Sequence, residues 1–399
     1  MKIIKTLLLF FSLLCIGNVF AEEKSPIPEE SNKFGFKIYE SIEREREGQN
    51  LSYAPFSVYQ IMGMLYMCTK GYGYEAAELA DKLNFSRNKN KTFKQFSDAI
   101  KISTANDPGI TTSNSVWVND KFSLKKDFET RIKNFFHASV YAGDFSTPAA
   151  TKQKINGWVS EKTRNMIRSV DISIEPLTGI VLLNASVFIK EWGAPFEKAE
   201  TKPRDFFKSD GTKVSTPFMN NEKMSSKAVY DDVTETIALQ LSYKGRGHSM
   251  IIIMPAPGKN VENVNFDTFT KFVNALSETQ FNSRMVSMPR FTVSSDTIPL
   301  MEKLKAAGIN KVLGENVDFS EISDALLEAY VSDIATMSRV EVDEKGTKAA
   351  AVTKASFQAL GIIEKKTPVI IDRPFKFFII ENKTNLILFM GTVNDPTKN

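Results

Sequence analysis

The chain has 399 residues, 42% hydrophobic and 25% charged, with a formal net charge of +4. A balance this near neutral excludes the strongly basic surface that holds nucleic acid. Only two cysteines, Cys15 and Cys68, are present, so stability has to come from a packed core and not from a disulfide framework.

At the N-terminus Lys2 and Lys5 precede a short apolar run, Leu7 to Ile16, and Val19-Phe20-Ala21 places small residues where a signal peptidase reads. Residues 1–21 are therefore expected to be a secretory signal cut after Ala21. The run is too short for a membrane anchor, and no stop-transfer pattern follows. Cleavage removes Cys15 and two lysines, so Cys68 is left alone and the formal charge falls from +4 to +2. The C-terminal Asp395-Pro-Thr-Lys-Asn399 lacks a retention signal. A secreted, extracellular protein without membrane attachment is the expectation, with residues 22–399 as one domain, since no repeat or Gly/Ser- or Pro-rich linker divides them.

Helices come first. Phe34, Ile38 and Ile42 keep helical spacing ahead of the solvated run Glu43 to Glu47. Ser57-Val-Tyr-Gln60 reads as a capping box opening an apolar helix over Ile61 to Cys68, with Gly71 as its stop. Further helical patterns cover 75–83, 92–103, 124–136, 149–166, 266–277 and 298–307. Strand-like runs are Asn114 to Val118, Ile180 to Ile189, Thr236 to Tyr243, Met250 to Met254, Met285 to Val293, Ala329 to Val342, Phe375 to Ile380 and Leu386 to Met390. Without regular strand–helix alternation, the fold class is α+β.

Signatures of catalysis are poor. The two histidines, His137 and His248, fit structural or surface roles, and there is no nucleophile elbow, zinc motif, paired cysteines or P-loop. Gly71-Tyr-Gly73-Tyr-Glu-Ala76 matches a dinucleotide fingerprint only loosely, because it follows a helix and not a strand. No cofactor and no metal are implied, and the protein is not expected to be an enzyme.

Residues 344–373 form a long connection between two strand-like runs, and their composition differs from that of a disordered tract. From Thr347 to Leu360 the segment alternates. Thr347, Ala349, Ala351, Thr353, Ala355, Phe357 and Ala359 share one parity without a charge among them. Lys348 and Lys354 take the other, with Ala350, Val352, Ser356, Gln358 and Leu360. Successive strand side chains point to opposite faces, so this is the pattern of a strand able to enter a sheet with its small, uncharged side inward. It would span roughly 46 Å at about 3.3 Å per residue, close to the diameter of a compact chain of this size.

Asn50-Leu-Ser-Tyr-Ala-Pro-Phe-Ser57, Asn114-Ser-Val-Trp-Val118, Val181-Leu-Leu-Asn-Ala185 leading to Trp192 and Pro195-Phe196, Ser287-Met-Pro-Arg-Phe291, Asp343-Glu-Lys-Gly-Thr-Lys-Ala-Ala350, Arg373-Pro-Phe375 and Leu388-Phe-Met-Gly391 together resemble the signature stretches of serpins, along nearly the whole mature chain. The resemblance implies three β-sheets, about nine helices and an exposed reactive-centre loop, and, in inhibitory members, a serine protease trapped as an acyl-enzyme when the cleaved loop inserts into the central sheet. It makes Glu344, Lys345, Gly346 and Thr347 the hinge, followed by small Ala349, Ala350 and Ala351. The cut bond falls between Leu360 and Gly361, with Ala359 or Phe357 as the alternative site, and Lys365-Lys366 reads as merely solvated. Leu360 favours chymotrypsin-like, chymase-like or cathepsin-G-like proteases, then elastase-like ones, over trypsin-like proteases. Cross-class inhibition of cysteine proteases is a weaker reading. The competing class is a non-inhibitory carrier, chaperone or storage protein on the same fold.

Where the family places a Ser and a His beneath the opening sheet, this chain has Ala54 and Thr336, while Ser57 and Asn184 are kept. That departure predicts altered metastability, with the sheet held closed by other contacts. Of the sequons, Asn84, Asn90 and Asn382 are glycosylation candidates, whereas Asn50 and Asn184 lie in apolar strand contexts. Lys121, Lys125, Lys126, Arg131 and Lys133 could bind a glycosaminoglycan weakly, against the simpler reading as a solvated helix face. A monomer is expected.

Overall fold

The computed structural model describes residues 24–104, 107, 109–174, 179–347 and 366–398. Its first part is α1 (Ile27–Glu45), β1 (Leu51–Tyr53), α2 (Pro55–Cys68), α3 (Tyr74–Leu83), α4 (Lys89–Thr104), β2 (Ile110–Asn119), α5 (Lys126–Phe136), β3 (Ser139–Gly143) and α6 (Pro148–Lys162). The middle holds β4 (Ile180–Phe188), β5 (Lys190–Glu191), β6 (Lys202–Phe207), β7 (Lys213–Asp231), β8 (Thr236–Ser242), β9 (His248–Met254) and α7 (Phe266–Glu278). Then come β10 (Asn282–Pro289), β11 (Phe291–Pro299), α8 (Met301–Ala306), β12 (Val331–Val342), β13 (Gly346–Thr347), β14 (Lys366–Ile370), β15 (Phe375–Glu381) and β16 (Ile387–Val393). Mixed helices and sheets make this an α+β fold, with eight α-helices among the described residues and short 3-10 turns at Lys198–Glu200 and Val261–Asn263.

Two hydrogen-bonded sheets stand where three are expected, because the 19-residue β7 runs through both of the outer ones. Its first part pairs with β6 and β10, and its last part with β8. The other sheet has the order β3-β2-β4-β12-β13-β5, with β11 on the outer side of β12. Its central pair, β4 and β12, is parallel, and all nine β4 residues are buried. A strand covered on both faces reads as a continuous apolar run, which is why it is visible in sequence.

The two faces of that pair differ. Val181, Leu183, Ala185, Ala335 and Met337 share one parity and pack in a small core with Trp158 and Val159 of α6 and with Val170, Ile172 and Ile174 beyond it. The alternate residues Asn184, Ser186, Thr336 and Ser338 are buried too, and the hydroxyls of Ser186 and Ser338 bond to Ser57 and Ser52, at and just ahead of the start of α2. A second, larger core holds α1, α2 and the nine-stranded sheet.

Some local expectations change. The helix over 55–68 starts at Pro55, two residues before Ser57, because Pro supplies a helical φ and lacks the N–H that would go unpaired there. Ser57 and Gln60 do not form a capping box; both side chains are spent on β-sheet partners. The helix ends at Cys68 with Thr69 already extended, ahead of Gly71. The run Met285 to Val293 is two strands in different sheets, divided at Arg290, whose N–H bonds to Pro217 O at 3.0 Å. The helix expected over 298–307 covers only Met301–Ala306, because β11 continues through Pro299.

Candidate functional site

Four of the residues expected as a hinge lie at the top of the central sheet. Strand β5 continues β4 past Phe188, and beyond Arg339 the β4–β12 pair parts enough for β13 to slot in between. Thr347 pairs antiparallel with Val342 on one side and with Lys190 on the other, while Gly346 pairs with Glu191. A Cβ on Gly346 would stand 2.0 Å from Lys190 O, so only glycine fits this slot.

Aromatic stacking forms the floor of the slot. Trp192 lies flat on Tyr243, ring centroids 4.6 Å apart and planes 9° apart, and Phe188 meets Tyr243 edge-on. The Tyr243 hydroxyl and Thr347 Oγ1 are 2.8 Å apart, with Thr347 fully buried. Trp192 Nε1 donates to Asp343 O at 3.0 Å, and the backbone N–H groups of Trp192 and Phe196 donate to Lys345 O and Glu344 O. Asp343 Oδ1 accepts from the N–H groups of Lys345 and Gly346, closing the turn.

Glu344 is buried, and its Oε1 accepts from Thr201 Oγ1 at 2.5 Å and Arg290 Nε at 2.7 Å. Burial alone would raise its pKa, but the hydrogen bonds from Arg290 and Thr201 outweigh it, and the carboxyl sits below the ordinary range. Ala349, Ala350, Ala351, Leu360 and Gly361 fall outside the described residues.

Midway down the β4–β12 seam, Asn184 and Thr336 are register neighbours. A chain of side-chain hydrogen bonds runs through this layer. Ser57 Oγ and Ser186 Oγ are 2.7 Å apart, and Ser186 donates to Asn184 Oδ1 at 2.8 Å. Asn184 Nδ2 donates to Asn114 Oδ1 at 2.7 Å, and Asn114 Nδ2 to Gln60 Oε1 at 2.6 Å. Sequence reasoning found Ser57 and Asn184 but missed Ser186, Asn114 and Gln60. The available signal was an amide inside the apolar stretch of α2 at Gln60 and polar residues at Asn114 and Ser186 in strands that are otherwise largely buried. Ala54 lies outside this chain, and the buried Thr336 hydroxyl has no hydrogen-bond partner.

The other candidates scatter. Asn84 is exposed in a left-handed conformation at the end of α3, and Asn90 is exposed in the first turn of α4. Asn382 is half-buried, its amide donating to Arg246 O at 2.8 Å. Asn50 is half-buried, and its amide ties down Asp395 and Lys398, while Asn184 is fully buried. On and before α5, Lys121, Lys126 and Lys133 are exposed, but Lys125 is paired with Asp324 at 2.5 Å and Arg131 with Glu321 and Asp127. Cys68 is buried, which pushes its thiol up to about 12 and leaves it unreactive. Among the described residues no cluster of His, Cys, Asp and Glu could hold a metal ion, and no helix is long and apolar enough to cross a membrane.

Comparison with known proteins places this geometry. Residues 29–396 match the family model described as serpin (serine protease inhibitor). Iripin-3 of Ixodes ricinus is 32% identical over 99% of this chain and all of its own length, and human glia-derived nexin is 30% identical over 91% of this chain and 92% of its own. The crystal structure of native protease nexin-1 with heparin aligns at a TM-score of 0.79 and 27% identity, covering 93% of this chain and 99% of that one. Thyroxine-binding globulin complexed with thyroxine shares the fold at a TM-score of 0.81 and 24% identity, over 93% of this chain and all of that one. With a full-length family match and an α+β architecture common to these structures, the chain belongs to the serpin family.

Proposed function

We propose that this protein is a secreted serine protease inhibitor that works as a suicide substrate. A protease cuts at Leu360-Gly361, and the freed segment beginning at Thr347 enters the sheet between β4 and β12 before the acyl-enzyme is hydrolysed. The observation that carries this reading is β13 itself: the residues that lead into the loop already pair between β12 and β5, at the mouth of the seam. Thr347, the first residue of the uncharged parity, points its hydroxyl at Tyr243 of the larger core, which supports that side of the segment as the inward one.

Energetics support the direction of travel. β13 runs antiparallel to both neighbours, so a strand continuing from it would replace one parallel ladder with two antiparallel ones, which are slightly more stable per residue. The added hydrogen bonds, at about 1 kcal/mol each, sum to the order of 10 kcal/mol. Leu360 assigns the target to proteases with an apolar primary pocket, of the chymotrypsin, chymase, cathepsin G or elastase kind.

Residues 1–21 act as the secretory signal in this reading, and Asn84 and Asn90 are the better glycan acceptors because the Asn382 amide is engaged. Glycosaminoglycan binding through Lys121, Lys126 and Lys133 is weak, because acidic neighbours neutralise the other two cations of the group. The test is a denaturing gel after mixing with chymotrypsin or cathepsin G. A complex surviving denaturant is expected; a nicked chain and free protease alone would place the protein with the non-inhibitory carriers.

A further inference from the structure

Strand β5, one wall of the slot that holds Gly346 and Thr347, carries a buried lysine. Lys190 Nζ lies 2.6 Å from Asp107 Oδ2 and 3.4 Å from His248 Nδ1, with only 7% of its side chain exposed. His248 is itself buried, and its Nε2 sits 2.8 Å from Ser103 O. A carbonyl oxygen only accepts, so Nε2 carries the proton and Nδ1 offers its lone pair to the Lys190 ammonium. A second proton on the ring would turn that acceptor into a cationic donor aimed at another cation.

We propose that His248 is a protonation sensor for the hinge: on taking a second proton it displaces Lys190, loosens β5 and releases Gly346–Thr347 from the sheet. The proposal rests on reading these residues as the hinge. Burial and the Lys190 charge favour the neutral form of His248, and the two carboxylates that oppose them, Glu381 and Asp107, are engaged elsewhere. Glu381, opposite it on β15, spends its carboxylate on the N–H groups of Lys383 and Thr384 and on the Thr384 hydroxyl. Asp107 spends its own on Lys190 and the Gly109 N–H. From β4 the neighbour is the Phe188 ring, and just past β8 the backbone N–H of Tyr243 donates to His248 O.

Burial holds the His248 pKa below the ordinary 6.5, and the Lys190 charge acts the same way against the opposing Ser103 hydrogen bond. A histidine kept neutral by the fold contributes its stability in full above its unfolded value and loses it as pH falls below that value. The seat is therefore intact near neutrality and weakens below about pH 6.5.

Trp192, stacked on Tyr243 and bonded to Asp343, reports the seat, while Trp117 and Trp158 lie in the separate core beside α6. Fluorescence of the full chain titrated from about pH 8 to about pH 5 should show a reversible transition below about 6.5 that is absent in W192F. H248Q, which keeps a donor for Ser103 and an acceptor for Lys190, should abolish it, and H137Q should not. K190M, which removes the cation to be displaced, should abolish it as well. A transition unchanged in H248Q or in K190M, or none in the wild type, overturns the proposal. The readout needs no protease, so failure to trap a protease and failure of the sensor are separate results.

Discussion

Thr336 shows what a single atom does at the seam. Its hydroxyl is buried beside Asn184 with no partner, and Ala54 has no side-chain polar atom to supply one. An unsatisfied buried hydroxyl costs about 1–3 kcal/mol, and Val has the same shape without it. Thr336→Val is therefore expected to stabilise the active form by about 1 kcal/mol, raising the midpoint of thermal unfolding by about 2 °C. Calorimetry of the uncleaved protein checks this, and a lowered midpoint would show that the hydroxyl is used. Ser186 and Gln60 were harder to read than Thr336 because a hydrogen-bond chain assembled from α2, β2 and β4 has no spacing of its own along the sequence.

At the scale of elements, the eight helices and the apolar strands β4, β8, β9, β12, β15 and β16 were legible from periodicity. Strands β6 and β7 were not. Half or more of their residues are exposed or half-buried, rich in Lys, Ser and Asn, so they lack the apolar runs by which strands are read. Of the alternation expected from Thr347 to Leu360 only Thr347 is among the described residues, and it is buried in the slot with its hydroxyl at Tyr243. Thr347→Arg puts a charge where the Tyr243 hydroxyl now waits, and a buried unpaired charge costs several kcal/mol. The variant is expected to be cut at an unchanged rate but to form at least about tenfold less trapped complex. Titration of protease with the variant, counting moles cleaved per mole trapped, gives the answer, and an unaltered ratio would defeat the parity argument.

For the whole molecule, the prediction concerns two states of one sequence. If the nicked chain adds a strand, it has gained on the order of 10 kcal/mol in ladder hydrogen bonds, and its unfolding midpoint should rise by the order of 10 °C. Circular dichroism before and after limited cleavage of the loop measures this; a nicked form no more stable than the intact one would mean that the segment stays outside. The family and the α+β class were readable from ordered motifs along the chain. The merger of two outer sheets was not, because it depends on β7 keeping three partners along its length.

Arg290 is the single residue between β10 and β11, and so the point where the backbone leaves one sheet for the other. Its side chain also grips Glu344, two residues before Gly346 in the slot. With no slack on either side to absorb a displacement, tension on Glu344 is delivered straight to this joint. Any pull on Glu344 would therefore be felt where the backbone passes from one sheet to the other.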